Sequence, residues 1–311
     1  MKTKNIKINQ NLKKGFCSIA TVLFFASCSS SDKSTYVPTQ QSLQNVFTTN
    51  LDNLRQTATF AAGTTYTFTS AAGAIVTIDG SCLRKNGNPV TGMVDLEFVE
   101  MYDKGSMAIT NKPTMGLNTL NELEPLDSGG EFYVVAKQGG VALTSTCPIP
   151  ISVPTSNTGG TKPDMQAFEG SIDTNGNLTW ESAPGLDFYY TSTPDKYNGL
   201  LSGFTWFNCD KFYNDPRPKT GLSVLIPSGY ANASTVFIST NAKPNSLCGI
   251  GGHKFPVGLE CNFIFVTEDN GKFRYAIKAA TLINNHQETF SISETSLATA
   301  AELKAILNAL P

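Results

Sequence analysis

Phe263-Ile264-Phe265-Val266-Thr267-Glu268-Asp269-Asn270-Gly271-Lys272-Phe273-Arg274-Tyr275-Ala276-Ile277-Lys278 reads as a β-hairpin. An apolar run enters it and Asp269-Asn270-Gly271 turns it. The exit alternates, so that Lys272, Arg274 and Lys278 share one side and Phe273, Tyr275 and Ile277 the other. Asn-Gly accepts the two positive φ angles of a type I′ turn, the tightest link between antiparallel strands. The same grammar recurs outward. Val94-Asp95-Leu96-Glu97-Phe98 puts three apolar groups on one face and two carboxylates on the other. Glu131-Phe132-Tyr133-Val134-Val135 is a more fully buried run, and Asn86-Gly87 and Asn175-Gly176 are further hairpin turns. Helical spacing occurs at the end alone, where Leu303, Ile306, Leu307 and Leu310 follow the capping box Thr299-Ala300-Ala301-Glu302. These patterns predict an all-β chain without a parallel sheet. Two β-sandwich modules stand in tandem, with a short C-terminal helix packed on the second. Four prolines and Gly159-Gly160 between Pro148 and Pro163 mark the boundary. The modules are thus expected at 51–154 and 171–311, joined by a linker at 155–170. The long polar connection from Met101 to Phe132 is expected to be a mobile loop.

The N-terminus is built differently. Lys2, Lys4, Lys7, Lys13 and Lys14 precede an apolar run from Gly15 to Ser27 that closes on Ala26-Ser27-Cys28. A basic start, a short apolar stretch and small residues before a cysteine make a bacterial lipoprotein signal peptide over residues 1–27. Cys28 is then the lipidated first residue of the mature chain, carrying diacylglycerol and palmitate-type acyl chains. The 13 residues of the apolar run are too few to cross about 30 Å of hydrocarbon. Residues 28–50, rich in Ser, Thr, Gln and Asn, are expected to form a flexible tether. The expected partner is therefore a membrane, reached through the lipid.

Cleavage removes five of the 23 basic side chains, leaving 18 against 25 acids and a net charge of about −7. That balance argues against nucleic acid as a partner. Five cysteines besides Cys28 remain in an oxidising compartment: Cys82, Cys147, Cys209, Cys248 and Cys261. Cys248 with Cys261 is the preferred bridge and Cys82 with Cys147 the second, leaving Cys209 free. No CxxC pair, HExxH, GxSxG or dinucleotide fingerprint is present, so no catalytic set, metal site or cofactor is assigned. Asp173-Thr174-Asn175-Gly176-Asn177 approaches a calcium loop, but its glycine comes two positions early, and a hairpin turn accounts for it better. Aromatic residues crowd the segment from Phe188 to Tyr213, where most are expected in the core. The candidate partner-binding loop is Asn241–Pro256, which brings Lys243, His253 and Lys254 together with Gly249, Gly251 and Gly252 on an acidic protein.

Two segments carry a resemblance. Gly87-Asn88-Pro89-Val90-Thr91-Gly92-Met93-Val94-Asp95-Leu96 runs into Glu100-Met101-Tyr102-Asp103-Lys104 and Ser128-Gly129-Gly130-Glu131-Phe132. The other is Trp206-Phe207-Asn208-Cys209-Asp210-Lys211-Phe212-Tyr213-Asn214-Asp215. Together they resemble uncharacterised outer-membrane lipoproteins of the Bacteroidota, flavobacteria especially. The first is also similar to carboxypeptidase regulatory-like sandwich modules. The resemblance implies an envelope lipoprotein of β-sandwich modules and supplies no catalytic residue. Ser29-Ser30-Ser31-Asp32-Lys33 follows the cysteine with a single acid, so the cell-surface and periplasmic faces both stay open. The expected function is non-enzymatic: a binding or scaffold lipoprotein, serving an envelope complex, adhesion or glycan binding. The alternative is a surface hydrolase of glycans or peptides, with Glu97 or Glu100 as the acids.

Overall fold

The computed structural model describes residues 36–173, 176–183, 189–190, 195–251 and 253–311, with the backbone alone at 189–190. The signal segment, Cys28, Thr174, Asn175 of the second Asn-Gly turn, Phe188 and Gly252 lie outside the described residues.

The first helix corrects the expected tether. α1, Gln40–Asn53, begins with Thr39 and Ser42 capping each other's backbone and buries Leu43 and Phe47. The segment is polar overall, but Leu43, Val46 and Phe47 fall on one helical face and dock it, while the amides and hydroxyls face water.

The strand pattern of the sequence holds. Met93–Met101 buries Val94, Leu96 and Phe98 and leaves Asp95 exposed. It lies between Gln56–Ala61 and Leu123–Gln138 in an eight-stranded sheet that continues through Trp206–Phe212, Gln166–Ile172, Leu178–Ser182 and Met115–Leu117. Met115–Leu117 pairs in parallel with Leu178–Ser182 and antiparallel with the start of Leu123–Gln138. That double pairing closes five strands into a ring. Trp180, Trp206, Phe168, Leu126 and Leu178 pack within one buried cluster against it. A second sheet holds Thr65–Thr69, Ile75–Asp79, Ile149–Pro154, Lys196–Leu201 and Tyr189–Tyr190. Phe98, Phe132, Val134 and Phe207 from the first sheet meet Val76, Ile78, Ile151, Val153 and Tyr197 from the second in one core.

The expected linker is therefore no boundary. Strands from beyond Pro163 complete both sheets, and Ile149–Pro154 is itself a strand. Its prolines are tolerated because only Ile151 and Ser152 pair with Ile75–Asp79, so Pro150 and Pro154 flank that ladder. The mobile loop is also corrected. α2, Lys104–Thr110, is buried at every residue, and Leu123–Gln138 starts well before Phe132.

Five further strands form an antiparallel sheet ordered Lys243–Gly249, Ser234–Thr240, Glu260–Asp269, Lys272–Thr281, Ser296–Ala298. Its opening hairpin turns as read, with φ 52° at Asn270 and 80° at Gly271, and the hairpin at Asn86-Gly87 matches it with 51° and 83°. α3, Ala300–Asn308, has the expected capping box and buries Leu303 and Leu307. One face of this sheet is covered by α1, α2 and α3 through Leu43, Phe47, Met107, Phe237, Ile264, Phe273 and Leu303. The other meets a three-stranded sheet of Lys254–Pro256, Lys219–Leu225 and His286–Thr289 through Phe255, Phe263, Phe265 and Phe290. His286–Thr289 runs parallel to Lys219–Leu225. The fold is mostly β, with mixed sheets, one ring and a helical layer. Residues 36–311 gather into one compact unit.

Candidate functional site

Among the cavities whose lining is described, the largest, about 470 Å³, lies where the Lys243–Gly249 strand stops. Its walls are Met115, Leu123, Leu178, Val224, Ile226, Val236 and Ile250. Asn111, Asn177, Thr179, Ser234, Thr235 and His253 supply polar groups. Volume and lining both suit a ligand cleft, apolar with a few placed hydrogen-bonding groups. His253 is 8 % exposed, and its Nδ1 is buried without a partner among the described residues. Nε2 is the ring nitrogen left for the cleft, 4.0 Å from where a side chain at Gly249 would begin. Burial pushes the imidazole pKa down to about 4, so the ring is neutral and can donate or accept one hydrogen bond.

The three cations expected together do different things. Lys243 Nζ is 2.7 Å from Asp127 Oδ2 and lies 5.4 Å over the Tyr213 ring. Lys254 is exposed and pairs with Glu122 at 3.1 Å. Asn241–Pro256 is largely strand, so it offers no free basic loop; the local acids neutralise what the sequence left unpaired. The expected Cys248–Cys261 bridge is also absent. Both thiols are free and buried, on strands that flank Ser234–Thr240 from opposite sides. Two strand spacings, about 9.6 Å, exceed the Cα reach of a disulfide. Burial pushes both thiols up to about 12, which makes them inert. Cys82 and Cys147 form the bridge instead, with Cα atoms 5.7 Å apart, and Cys209 is free and buried.

The acids named for the hydrolase reading are occupied. Glu97 pairs with Arg55 and with Lys137. Glu100 accepts hydrogen bonds from Gln56, Ser70, Tyr102 and the Ala72 amide. Asp173 caps its hairpin by accepting from the backbone and side chain of Asn177. In the aromatic segment Tyr197, Trp206 and Phe207 are buried core, while Phe204, Phe212 and Tyr213 are partly buried.

Sequence reasoning passed over a second polar cluster. Glu131 and Asp210 are both wholly buried, beside a strand irregularity where the four residues from Ser128 to Glu131 oppose the three from Asn208 to Asp210. Gly129 and Gly130 permit it: a side chain at Gly129 would collide with the Cys209 carbonyl, and Gly130 has φ 122°. Asp210 Oδ1 accepts from Ser128 Oγ at 3.0 Å and from the Gly129 amide at 3.1 Å. Burial outweighs those bonds and pushes Asp210 up to about 8; burial, then Asp210 itself, push Glu131 well above the carboxylate range. Asp210 therefore keeps its proton at neutral pH, and burial favours the protonated form of Glu131 as well. Glu131 and Asn208 Oδ1 have no partner as the amide is placed. Turning the Asn208 amide over lets the Asp210 O–H donate to Oδ1. Nearby Lys112 is buried over Trp206, 5.9 Å from the ring, and burial lowers it to about 8. The signal was an acid inside each of two apolar runs, Glu131 before Phe132 and Asp210 after Cys209. Neither acid lines the His253 cleft.

No known protein family, curated protein or solved structure matches the chain.

Proposed function

We propose that the protein is an exported, lipid-anchored binding protein of the outer membrane, of the lipoprotein kind its sequence resembles, with the His253 cleft as its ligand seat. The observation that carries this reading is the partnerless, neutral imidazole of His253 in the wall of the largest described cleft. With Nδ1 buried, Nε2 is the atom a ligand would reach, and the neutral ring offers it one hydrogen bond as donor or acceptor. Apart from Asp173, whose carboxylate is held by the Asn177 backbone and side-chain amides, the remaining lining is amides, hydroxyls and apolar groups, which favours recognition over acid–base chemistry.

Two experiments test it. Labelling cells with a clickable fatty acid should mark the wild-type chain and spare Cys28→Ala; equal labelling sinks the anchor. For the cleft, Gly251 lines it, and a side chain there meets open space. Gly251→Trp should therefore plug the cleft while keeping the melting temperature. Detergent-solubilised envelope passed over immobilised wild type and Gly251→Trp should give a bound component that only the wild type retains. Identical retention by both proteins places binding elsewhere.

A further inference from the structure

We infer that the cleft takes an extended, uncharged polypeptide segment that adds as a short strand along Ser234–Val236; this rests on the binding reading of the same cleft. The Ser234–Thr240 strand pairs with Glu260–Asp269 along its whole length. On its other edge the Lys243–Gly249 strand pairs from Thr240 only as far as Phe237, opposite Gly249. Among the described residues no strand covers that edge at Ser234, Thr235 and Val236, and all three line the cleft. Successive residues of a strand aim their backbone N–H and C=O to alternate sides. Either Thr235, or Ser234 and Val236 together, must then present both groups to the cleft. An unpaired edge of this kind is the template for strand addition, in which backbone bonds supply affinity and wall pockets supply selectivity.

Shape and charge choose the occupant. Cavities of about 280, 470 and 250 Å³ follow one another. They share Ser234 and Thr235 at one junction and Leu123, Gly251 and His253 at the other. A trough of this form suits an extended chain. The charged groups along it are already matched, Lys219 with Glu124 at 2.7 Å, Lys254 with Glu122 at 3.1 Å and Asp173 with the Asn177 backbone and side-chain amides at 2.9 and 3.0 Å, and His253 is neutral. A charged occupant would find no partner. The aromatic lining residues among those described, Phe47 and Phe237, are 3 % and 1 % exposed, which leaves no ring for a sugar to stack on. Val224, Ile226, Val236 and Leu178 all line the trough, so side chains of the incoming strand that turn to them would be apolar. His253 Nε2 would bond the segment beyond Gly249.

The probe is a phage-displayed library of random 12-residue peptides. It is selected on the Cys28→Ala chain lacking residues 1–27 and counter-selected on Gly251→Trp. Enriched peptides should carry no net charge and alternate apolar residues. A synthetic hit should lose at least tenfold in affinity when single backbone amides are N-methylated at alternate positions, and little at the positions between. Hydrogen exchange within Ser234–Val236 should slow when it binds. No enrichment, enrichment that survives Gly251→Trp, or indifference to every N-methylation overturns strand addition. The N-methyl scan requires no protein variant, so it decides even if Gly251→Trp folds poorly. Loss of envelope capture in Gly251→Trp, with hits on a glycan array and none from the peptide library, overturns the peptide and keeps the cleft.

Discussion

Asp210→Asn should remove part of a fall in stability that sets in as pH rises. The Asp210 carboxyl has a folded-state pKa near 8, against about 3.9 for an unperturbed Asp. The folded chain therefore holds a proton that the unfolded chain releases. That contribution is fully present below about pH 4, declines as pH rises, and is gone above the folded pKa. Between pH 6.5 and 8 the loss is on the order of 2 kcal/mol, at about 1.4 kcal/mol per pH unit. The window is chosen to isolate the acids. His253, with its pKa near 4, has the opposite sign, and all but about 0.4 kcal/mol of its gain is made by its ordinary value of 6.5. Lys112, lowered to about 8 from 10.5, acts chiefly above the window. Asp127 faces the cluster, but it acts at acid pH: burial alone would raise it, yet bonds from Lys162 and Lys243 outweigh burial and lower it. Asn at 210 keeps an acceptor for Ser128 and Gly129 and offers a donor to Asn208 Oδ1. Urea midpoints of wild type should fall between pH 6.5 and 8. In Asp210→Asn the fall should be smaller by about that 2 kcal/mol. A wild-type midpoint that is flat or rising over this range, or an equal fall in the variant, refutes the protonated buried acid.

Joint replacement of Cys82 and Cys147 by Ser removes a bridge that closes 65 positions, worth about 4 kcal/mol by loop-closure entropy; calorimetry should show the loss, and reduction of wild type should reproduce it. Trp180→Ala empties the middle of the ring cluster and should cost about 3–5 kcal/mol in chemical denaturation. Lys243→Ala should destabilise by about 1–3 kcal/mol, because Asp127 is only 4 % exposed and loses one of its two cations. Lys254→Ala, on the surface, should stay within about 0.5 kcal/mol, and matched melting curves of the two variants separate the roles.

Local signals in the sequence carried as far as neighbouring strands and no further. The Asn270-Gly271 and Asn86-Gly87 turns, the Val94–Phe98 alternation and the α3 leucine stripe were readable because each depends on residues within a few positions. The ring was not, because its closure rests on Met115–Leu117, three residues without distinctive periodicity. The prolines near 148–163 looked like a boundary, since proline punctuates loops more often than it sits beside a two-residue ladder. At the site, glycine, lysine and histidine were read as an open basic loop. Their acidic partners, Asp127 and Glu122, lie more than a hundred positions away, and no local pattern announces them.

The glycines of that segment matter for another reason than loop freedom. Gly249 is the last residue of its strand, and Gly251 follows with open space around it. Glycine gives up more backbone freedom than other residues on joining a strand and brings no side chain to pack, so a ladder reaching Gly249 gains little by going on. The sheet edge beyond it stays uncovered for three residues. Long exposed edges invite aggregation, and proteins blunt or hide them. Here the edge is short and lies on the wall of a cleft that Val224, Ile226, Gly249 and Ile250 also line. A whole sheet could not reach it edge to edge, but one extended chain could. By the same reasoning Gly251→Val would favour an extended backbone without filling the cleft as Trp does. It should slow hydrogen exchange at Ser234–Val236 in the free protein and weaken peptide capture in proportion. Faster exchange with stronger capture would mean that the edge is held open by something other than the glycines.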